Sequence, residues 1–540
     1  MRKKKMLLSM VMVGCAVLSL SSCLLLDISG SDVNSDLSYE WKDSDYDDLK
    51  SNMTRFEKAL SGDNQLELVG AWNSVQRGLY AVATYRTIEN INYAAGDDDA
   101  YEKYIYFQGI LEEVTQWQEN LYDEMYNSKY KDDFFKGMTE EEIQKLINNV
   151  KPDRYYEIEN AQKSLIKQYQ DLSDDEVDTK TSDIYLSLVK NYKEEATLLG
   201  YDSYMDYAYE EIYSREYTPK DVEDFTTYVK DYIVPLMIEV KEEAIELNNS
   251  GLSNDSLVEF RRFNSGHFES WKSTINAYGQ FVGGDYEKSL NFLWKEGYIK
   301  YGTAGKANID GAFTTYLYAK NLNQPILYFG PSYTNLMTFI HEFGHYNNFK
   351  VNGANAMSYD LAETHSQGNE MLFLAWLEKN KDEQAKDLNM DLVRLNEVYE
   401  ALTTIVLATM VNEFEYRVYT SGDDLDANSF DTYYREAGDA LGGYDEIIKY
   451  IYGDNVPRDY WKRVVLENPA YYISYAISKI PSLEIYQMGR EDLTLTRNCY
   501  RKTFNLDKDL TQEDFLKVLS SANIYSPFDE EAYKLIQKLK

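Results

Sequence analysis

The chain contains very few residues that interrupt a helix. Only nine of its 540 residues are proline and 28 are glycine. Proline removes a backbone donor and clashes with the preceding turn, so its scarcity permits long, uninterrupted helices. Apolar residues recur with helical spacing over long runs, for example at residues 221–247 and, interrupted by glycines, at residues 257–294. The sequence therefore predicts a mainly α-helical protein.

Residues 341–345 read His-Glu-Phe-Gly-His. Side chains four residues apart lie on the same face of a helix, so His341 and His345 can bind one Zn²⁺ ion together. Glu342 lies beside the first histidine and can reach a metal-bound water rather than the metal. The chain has only four histidines, which makes the pattern specific. The motif predicts a metal site with a general base beside it, and the alternative is a surface helix with two solvated histidines.

A second predicted helix, which begins near Asp360, offers a third ligand. It carries Glu363 and Glu370, two turns apart on one face. A catalytic zinc ion takes three protein ligands, and we predict that Glu363 is the third. We predict that Glu370 accepts a hydrogen bond that orients a ligand histidine. His365 lies about 200° around the helix from Glu363, so we expect a local polar role for it. For each glutamate the alternative is a solvated helix face.

These two helices resemble the thimet oligopeptidase and oligoendopeptidase F family of zinc peptidases. The family has His-Glu-x-Gly-His and, further along, a metal-binding glutamate. Glutamine or a small polar residue lies four positions after this glutamate, and a second glutamate lies seven positions after it. In this sequence the matching residues are His341, Glu342, Gly344, His345, Glu363, Gln367 and Glu370. The resemblance implies one zinc ion per chain, with Glu363 as a ligand. It also implies a two-lobed helical clamshell with a deep channel and a small β patch next to the zinc helix.

Residues 468–476 read Asn-Pro-Ala-Tyr-Tyr-Ile-Ser-Tyr-Ala and are similar to the family's C-terminal tyrosine motif. By resemblance, tyrosine hydroxyls in this motif donate to the oxyanion that develops on the scissile carbonyl. We predict Tyr472 and Tyr475 as the catalytic tyrosines, with Tyr471 as the third candidate. Packing in a helical core is the alternative for each, because the chain has 50 tyrosines. The family's histidine just upstream of this motif is missing, since no histidine follows His365.

The sequence pattern changes between residues 302 and 330. Short apolar runs bounded by glycines predict a small patch of strands before the zinc-motif helix. The family has a Gly-Lys and a Gly-Ala element here, and this sequence has Gly305-Lys306 and Gly311-Ala312. An exposed strand edge can hold an extended peptide, whereas the alternative is a connecting hairpin without substrate contact.

Residues 1–22 have the pattern of a targeting segment. Basic residues 2–5 precede an apolar stretch that is too short for a comfortable membrane span. Small residues directly before Cys23 resemble the end of a bacterial lipoprotein signal, which implies cleavage there and a lipid on the Cys23 sulfur. An ordinary signal peptide is the alternative. We predict an exported protein, lipid-anchored to the outer face of the bacterial cell membrane, with residues 23–48 as an acidic tether.

The chain is strongly acidic. It has 55 basic and 91 acidic residues, a net charge of −36. Without the four basic residues of the signal segment, 51 basic residues face 91 acidic ones, a net charge of −40. This charge argues against binding to nucleic acid and against electrostatic attachment to anionic lipid. Once Cys15 is removed and Cys23 acylated, only Cys499 stays free, so no intramolecular disulfide can form.

The remaining chain is predicted to contain a helical N-terminal region, residues 49–300, and a zinc-binding catalytic region, residues 301–540. Motif and resemblance together predict a zinc-dependent endopeptidase that cleaves internal bonds of short peptides, with Glu342 assisting attack by a zinc-bound water. One alternative is an exopeptidase of the peptidyl-dipeptidase type. Another is a peptide-binding lipoprotein with a vestigial zinc site. The intact Glu342 speaks against the latter, because zinc binding alone does not need that carboxylate.

Overall fold

The structure is a computed structural model that describes residues 41–136, 138–148, 151–249, 266–319, 322–355, 357–386, 388–422, 425–452, 460–463, 465–466, 468–508 and 510–539. The predicted signal segment, Cys23 and most of the predicted tether lie outside the described residues. The last six residues of the predicted tether are helical, because the first helix begins at Asp43.

The described chain is mainly helical, as predicted, and begins with a series of helices. They are α1 (Asp43–Leu60), α2 (Gln65–Ala95), α3 (Asp99–Asn127), α4 (Lys131–Phe134), α5 (Glu140–Asn148), α6 (Asp153–Gln170), α7 (Asp174–Leu198), α8 (Tyr204–Tyr207), α9 (Asp221–Tyr228), α10 (Val234–Asn249), α11 (Lys272–Val282) and α12 (Gly284–Glu296). Two π-helical turns, Ala208–Ile212 and Val229–Ile233, continue α8 and α9.

The predicted patch of strands is confirmed. Strands β1 (Tyr298–Tyr301), β2 (Ala312–Leu317) and β3 (Gln324–Phe329) form a sheet in the order β1-β3-β2. β3 is the central strand and is buried along its whole length; it runs parallel to β1 and antiparallel to β2. The Gly311-Ala312 element therefore leads into an edge strand, and its contact with substrate stays a prediction.

The helices that follow the sheet complete the described chain. They are α13 (Leu336–Asn352), α14 (Tyr359–Lys379), α15 (Lys381–Gln384), α16 (Met390–Thr420), α17 (Ser429–Ala440), α18 (Tyr444–Tyr452), α19 (Ile473–Glu491), α20 (Leu493–Lys502), α21 (Phe515–Ser521) and α22 (Glu530–Ile536). Short 3₁₀ turns lie at Phe268–Trp271, Tyr460–Arg463 and Gln537–Leu539.

The chain divides into two compact units that interleave along the sequence. The first contains the described residues within Met1–Pro152, Ser289–Tyr333 and Asn352–Ala356, and the second contains the other described residues. The first unit contains the sheet, which packs on helix α2: the Tyr328 hydroxyl donates to the Ala94 carbonyl at 2.7 Å. The functional division into residues 49–300 and 301–540 stays a prediction.

The second unit is built around α14, which packs most extensively against α19. Sixteen of the 21 residues of α14 are buried, as expected of a helix covered on several sides. Its Asn369 side chain donates to the Ile340 carbonyl of α13 at 2.7 Å. The Tyr278 and Tyr286 hydroxyls both donate to the Asn369 amide oxygen, at 2.9 and 3.1 Å. Buried polar contacts therefore fix α14 against α13.

Helices α13 and α14 approach each other closely at Gly344. A Cβ atom at this position would lie 2.6 Å from both the His365 carbonyl oxygen and the Ser366 Cα. Both atoms belong to backbone, so neither can rotate away. Only a glycine permits this separation between the two helices. Within the residues that the structure describes, no helix is both long enough and apolar enough to cross a bilayer.

We expect Gly344→Ala to lower the free energy of unfolding by about 3 kcal/mol, because the added methyl group forces two buried backbones apart. Gly109→Ala is the matched control. Gly109 is exposed within α3, and a Cβ there meets nothing within 4 Å. This control should gain about 0.5–1 kcal/mol from helix propensity. Calorimetric unfolding of the purified variants measures both effects, and an unchanged unfolding temperature for Gly344→Ala would contradict the close-packing interpretation.

Candidate active site

Helix α13 presents the two motif histidines on one face. It begins at Leu336, where the Asn335 side chain accepts a hydrogen bond from the Thr338 backbone N–H at 2.9 Å. The rings of His341 and His345 lie 5.1 Å apart, centroid to centroid. Both side chains are partly exposed, at 23% and 17%. The two imidazoles are therefore neighbours on a face that water can reach.

Glu363 of α14 completes the group. Its Oε2 atom lies 3.7 Å from Nε2 of His341 and 4.0 Å from Nε2 of His345. One potential ligand atom from each of these three residues lies within 4.8 Å of the others. Ligands about 2 Å from a tetrahedral ion are roughly 3.3 Å from one another, so small side-chain rotations suffice to enclose zinc. The set of two imidazoles and one carboxylate fits the donor chemistry of catalytic zinc sites.

Glu370 contacts His341, the motif histidine nearest to it, and its predicted role in orienting a ligand histidine stays a prediction. Its Oε1 atom lies 2.5 Å from Nδ1 of His341, which directs Nε2 of the same ring towards Glu363. Its other oxygen lies 3.3 Å from Nζ of Lys479, a buried residue of α19. Burial opposes ionisation of Glu370, but Lys479 and then His341 outweigh it and lower the pKa of this carboxyl. The contacts form a line from Lys479 through Glu370 to His341.

Sequence reasoning missed Lys479. The sequence does contain a signal for it, because Lys479 is the single lysine among the mostly apolar residues of α19. A buried ammonium requires an anionic partner, so such a lysine indicates a nearby carboxylate. The partner's identity followed only from the packing of α19 on α14.

The carboxylates give the site a negative electrostatic field. Burial opposes protonation of His341, yet Glu370, Glu342 and Glu363 outweigh it and raise the pKa of His341 to about 9. A field that favours a proton on this ring favours any bound cation at the same place. Burial and the neighbouring His341 lower the pKa of His345 well below its usual value, which keeps this imidazole neutral, as a metal ligand must be.

Glu342 lies with this group. Its side chain is buried, and its carboxylate is one of those that raise the pKa of His341. Its charge also contributes to raising the pKa of Tyr475, after burial and the charge of Glu363. The predicted base, a residue of the motif helix, is therefore close enough to the tyrosine segment to influence Tyr475.

The tyrosine segment reaches the site through Tyr471, which the sequence ranked third. The Tyr471 hydroxyl donates to Oε1 of Glu363 at 3.0 Å, the oxygen that does not face the histidines. Tyr475 packs edge-on against Tyr471, with ring centroids 5.2 Å apart, and is partly exposed. Tyr472 packs edge-on against Tyr475, at 5.8 Å. The catalytic roles of Tyr472 and Tyr475 stay predictions.

His365 has the local polar role that its helix position predicts. It is fully buried, and its Nε2 donates to the Thr503 carbonyl at 3.0 Å. The ring stacks on Phe504 with a centroid distance of 4.1 Å. Burial lowers the pKa of His365 to about 3, so the ring is neutral and structural.

Comparison with solved structures shows which known proteins share this arrangement of helices. A candidate oligoendopeptidase F from Bacillus anthracis strain Ames is 17% identical, with a TM-score of 0.68 over 94% of this chain and 97% of that one. A second candidate oligoendopeptidase F is 15% identical, with a TM-score of 0.72 over 93% and 96%. PZ peptidase A, solved with an inhibitor, is 16% identical, with a TM-score of 0.67 over 94% and 98%.

The chain has the oligoendopeptidase F fold. This confirms the resemblance seen in the two motif helices and the prediction of a mainly helical fold with a small sheet. No protein-family model and no curated protein matches the sequence. At 15–17% identity the likeness to these structures establishes the fold alone. The roles of individual residues within the oligoendopeptidase F fold therefore rest on the geometry of the site.

We expect Lys479→Met to weaken zinc binding by about 10- to 100-fold, because Glu370 loses its cationic partner and holds His341 less firmly. Lys462→Met is the matched control: Lys462 is also buried, but its Nζ donates to the Asp178 carbonyl at 3.1 Å. Competition titrations against a chelator, at constant pH, measure both affinities. Equal zinc affinity in Lys479→Met and in the unchanged protein would show that the contact does not support the site.

Proposed function

We propose that this protein is a zinc-dependent endopeptidase that hydrolyses internal bonds of short, unstructured peptides. One observation carries the proposal. His341, His345 and Glu363 bring three potential ligand atoms within 4.8 Å of one another. This group lies beside the buried Glu342, in a fold shared with oligoendopeptidase F structures. A site that only stored a metal would not need the adjacent carboxylate.

His341, His345 and Glu363 would hold the ion. When bound, Zn²⁺ supplies Lewis acidity, which polarises a peptide carbonyl and makes water acidic near neutral pH. Glu370 keeps Nδ1 of His341 engaged and so presents Nε2 of that ring. Tyr471 engages the opposite oxygen of Glu363 and restricts rotation of its carboxylate. The ligand set is thus held in one arrangement before substrate arrives, which lowers the cost of organising it during reaction.

Glu342 serves as the proton carrier. It accepts a proton from the attacking water as the oxygen–carbon bond forms on the scissile carbonyl. It then gives this proton to the amine nitrogen as the carbon–nitrogen bond breaks. One carboxylate thereby acts first as base and then as acid, and it regains its original state at the end of each turnover.

Tyr475 is the residue best placed to donate to the developing oxyanion. Its side chain is partly exposed, whereas the Tyr471 hydroxyl already donates to Glu363. Burial, followed by the charges of Glu363 and Glu342, raises the pKa of Tyr475 above its usual value. The hydroxyl therefore keeps its proton at neutral pH and can donate it in a hydrogen bond. Tyr472 is retained as a second candidate from the sequence.

The decisive experiment measures hydrolysis of an internally quenched peptide of about ten residues. We expect Glu342→Gln to reduce kcat/KM by about a thousandfold, because proton transfer by a positioned carboxylate contributes about 10²–10⁴-fold. Zinc content should stay unchanged, and removal of zinc with a chelator should abolish turnover in the unchanged protein. Full activity of Glu342→Gln would exclude its role as base.

A blocked substrate separates the alternatives. A peptide with an acetylated amino terminus and an amidated carboxyl terminus should be cut at an internal bond, as mass spectrometry of the fragments would show. Cleavage restricted to free peptides, two residues from the carboxyl terminus, would identify the peptidyl-dipeptidase alternative. A folded, zinc-loaded protein that binds the peptide without cleaving it would identify a peptide-binding lipoprotein.

We also propose, from sequence features alone, that the protein is exported and anchored by a lipid on Cys23. The basic start, the apolar stretch and the small residues before Cys23 support this proposal. We expect Cys23→Ser to move the protein from the membrane pellet to the soluble fraction, because acyl chains would be its attachment. Fractionation of cells that express each form provides the measurement, and a Cys23→Ser protein that stays in the pellet would contradict it.

A further inference from the structure

The turn that leads into Tyr471 has an unusual backbone. Ala470 has a φ of +63° and is fully buried. This left-handed conformation is uncommon for residues with a side chain, since Cβ comes close to the carbonyl oxygen. A strained residue persists only when the surrounding structure holds it in place. The residues that hold Ala470 therefore also determine where Tyr471 lies.

Buried side chains from elsewhere in the second unit bind both backbone groups of Ala470. Arg215 donates from Nη2 to the Ala470 carbonyl at 2.8 Å and to the Ser474 hydroxyl at 2.9 Å. On the other side, the Ala470 N–H donates to Oε1 of Glu415 at 2.9 Å. The Tyr213 hydroxyl donates to the preceding carbonyl, that of Pro469, at 2.8 Å. The turn is thus held at three consecutive backbone groups.

Arg215 is itself held in a fixed position. It lies three residues after the π-helical turn Ala208–Ile212 and is only 8% exposed. Its guanidinium carbon lies 4.2 Å from the ring centroid of Tyr209, 4.5 Å from that of Tyr213 and 5.9 Å from that of Tyr217. Aromatic faces attract a guanidinium and keep its plane in one orientation.

A buried guanidinium is an expensive way to stabilise a fold. Burial of a charge costs free energy that apolar residues of similar size do not, so an ion buried in this way is weak evidence for stability alone. π-helical turns, moreover, occur frequently at functional sites. Both features point to a role in the site rather than in the core.

We propose that Arg215 and Glu415 form a clamp that positions Tyr471 against Glu363. Tyr471 follows Ala470 directly, and its hydroxyl donates to Glu363 at 3.0 Å. Release of the Ala470 carbonyl would free the turn to leave the left-handed conformation. The Tyr471 hydroxyl would then move away from the carboxylate, and Glu363 would rotate more freely. Arg215 is thus a positioning residue that acts through Tyr471, and its importance for turnover rests on the proposed function.

The first test needs neither metal nor substrate. Hydrogen exchange of the full chain, followed by mass spectrometry, reports on the amides of residues 470–475. Arg215→Met should raise their exchange rate by about tenfold, because the turn opens locally more often. The matched control is Arg86→Met. Arg86 is another buried arginine, which donates to the Gln108 side chain within the first unit. This control should leave the exchange of residues 470–475 unchanged.

The second test distinguishes a positioning role from a general structural one. In the Co²⁺-loaded protein, Arg215→Met and Tyr471→Phe should shift the visible absorption bands in the same way, because both release Glu363. In peptide hydrolysis, Arg215→Met should lower kcat by about tenfold with KM within about twofold. In the Tyr471→Phe background, Arg215→Met should cause no further loss, since two residues that act as one unit are not additive.

Three results would overturn the clamp: unchanged exchange at residues 470–475, an unchanged Co²⁺ spectrum, or losses that multiply in the double variant. If Arg215→Met does not fold, Tyr213→Phe replaces it. That variant removes only the hydroxyl that binds the Pro469 carbonyl and should change the same readouts in the same direction. If the unchanged protein hydrolyses no peptide, the proposed function fails, while exchange and the Co²⁺ spectrum still decide on the clamp.

Discussion

The close contact between helices α13 and α14 sets the geometry of the candidate site. It places the histidines of one helix and Glu363 of the next at distances that a single ion can span. The separation depends on Gly344, whose missing side chain leaves room for the backbone of His365 and Ser366. Asn369, held by two tyrosine hydroxyls, secures the same contact from the side of α14. The packing of α13 against α14 thus determines where the potential ligands lie relative to one another.

A group of acidic side chains gathered in a buried site would repel one another unless cations balance them. Here the balance comes from two sources within the second unit. Lys479 contacts the Glu370 oxygen that does not contact His341, at 3.3 Å. The raised pKa of His341 shows that the same carboxylates attract a further positive charge at the ligand face. The carboxylates therefore favour a positive charge at the place where the donor atoms of His341, His345 and Glu363 converge.

Tyrosines connect the site with the rest of the second unit. Tyr471 contacts Glu363, while Tyr213 holds the turn that precedes it and shares in the aromatic enclosure of Arg215. A tyrosine ring packs as an apolar side chain, and its hydroxyl can still satisfy a buried polar group. This dual character suits a helical protein with a buried polar site, and it gives part of the chain's large tyrosine content a structural reason.

The sequence by itself determined the elements that local rules control. Scarce proline and helical periodicity indicated a mainly helical fold, and the spacing of His341 and His345 required a helix with both rings on one face. The seven-residue spacing of Glu363 and Glu370 placed both on one side of the next helix. His365 lies about 200° around that helix from Glu363, which argued against His365 as a ligand to the same metal. Each of these features depends on residues close together in the chain, where the geometry of one helix is enough.

Only the tertiary structure decided which distant residues meet. Lys479 lies more than a hundred positions from its partner Glu370, and Arg215 lies still further from Ala470. Such pairs depend on how helices pack, which the period of one helix does not encode. For the same reason, the contact of Tyr471 with Glu363 did not follow from the sequence. The left-handed turn at Ala470 and the packing of the sheet on α2 are properties of the assembled fold.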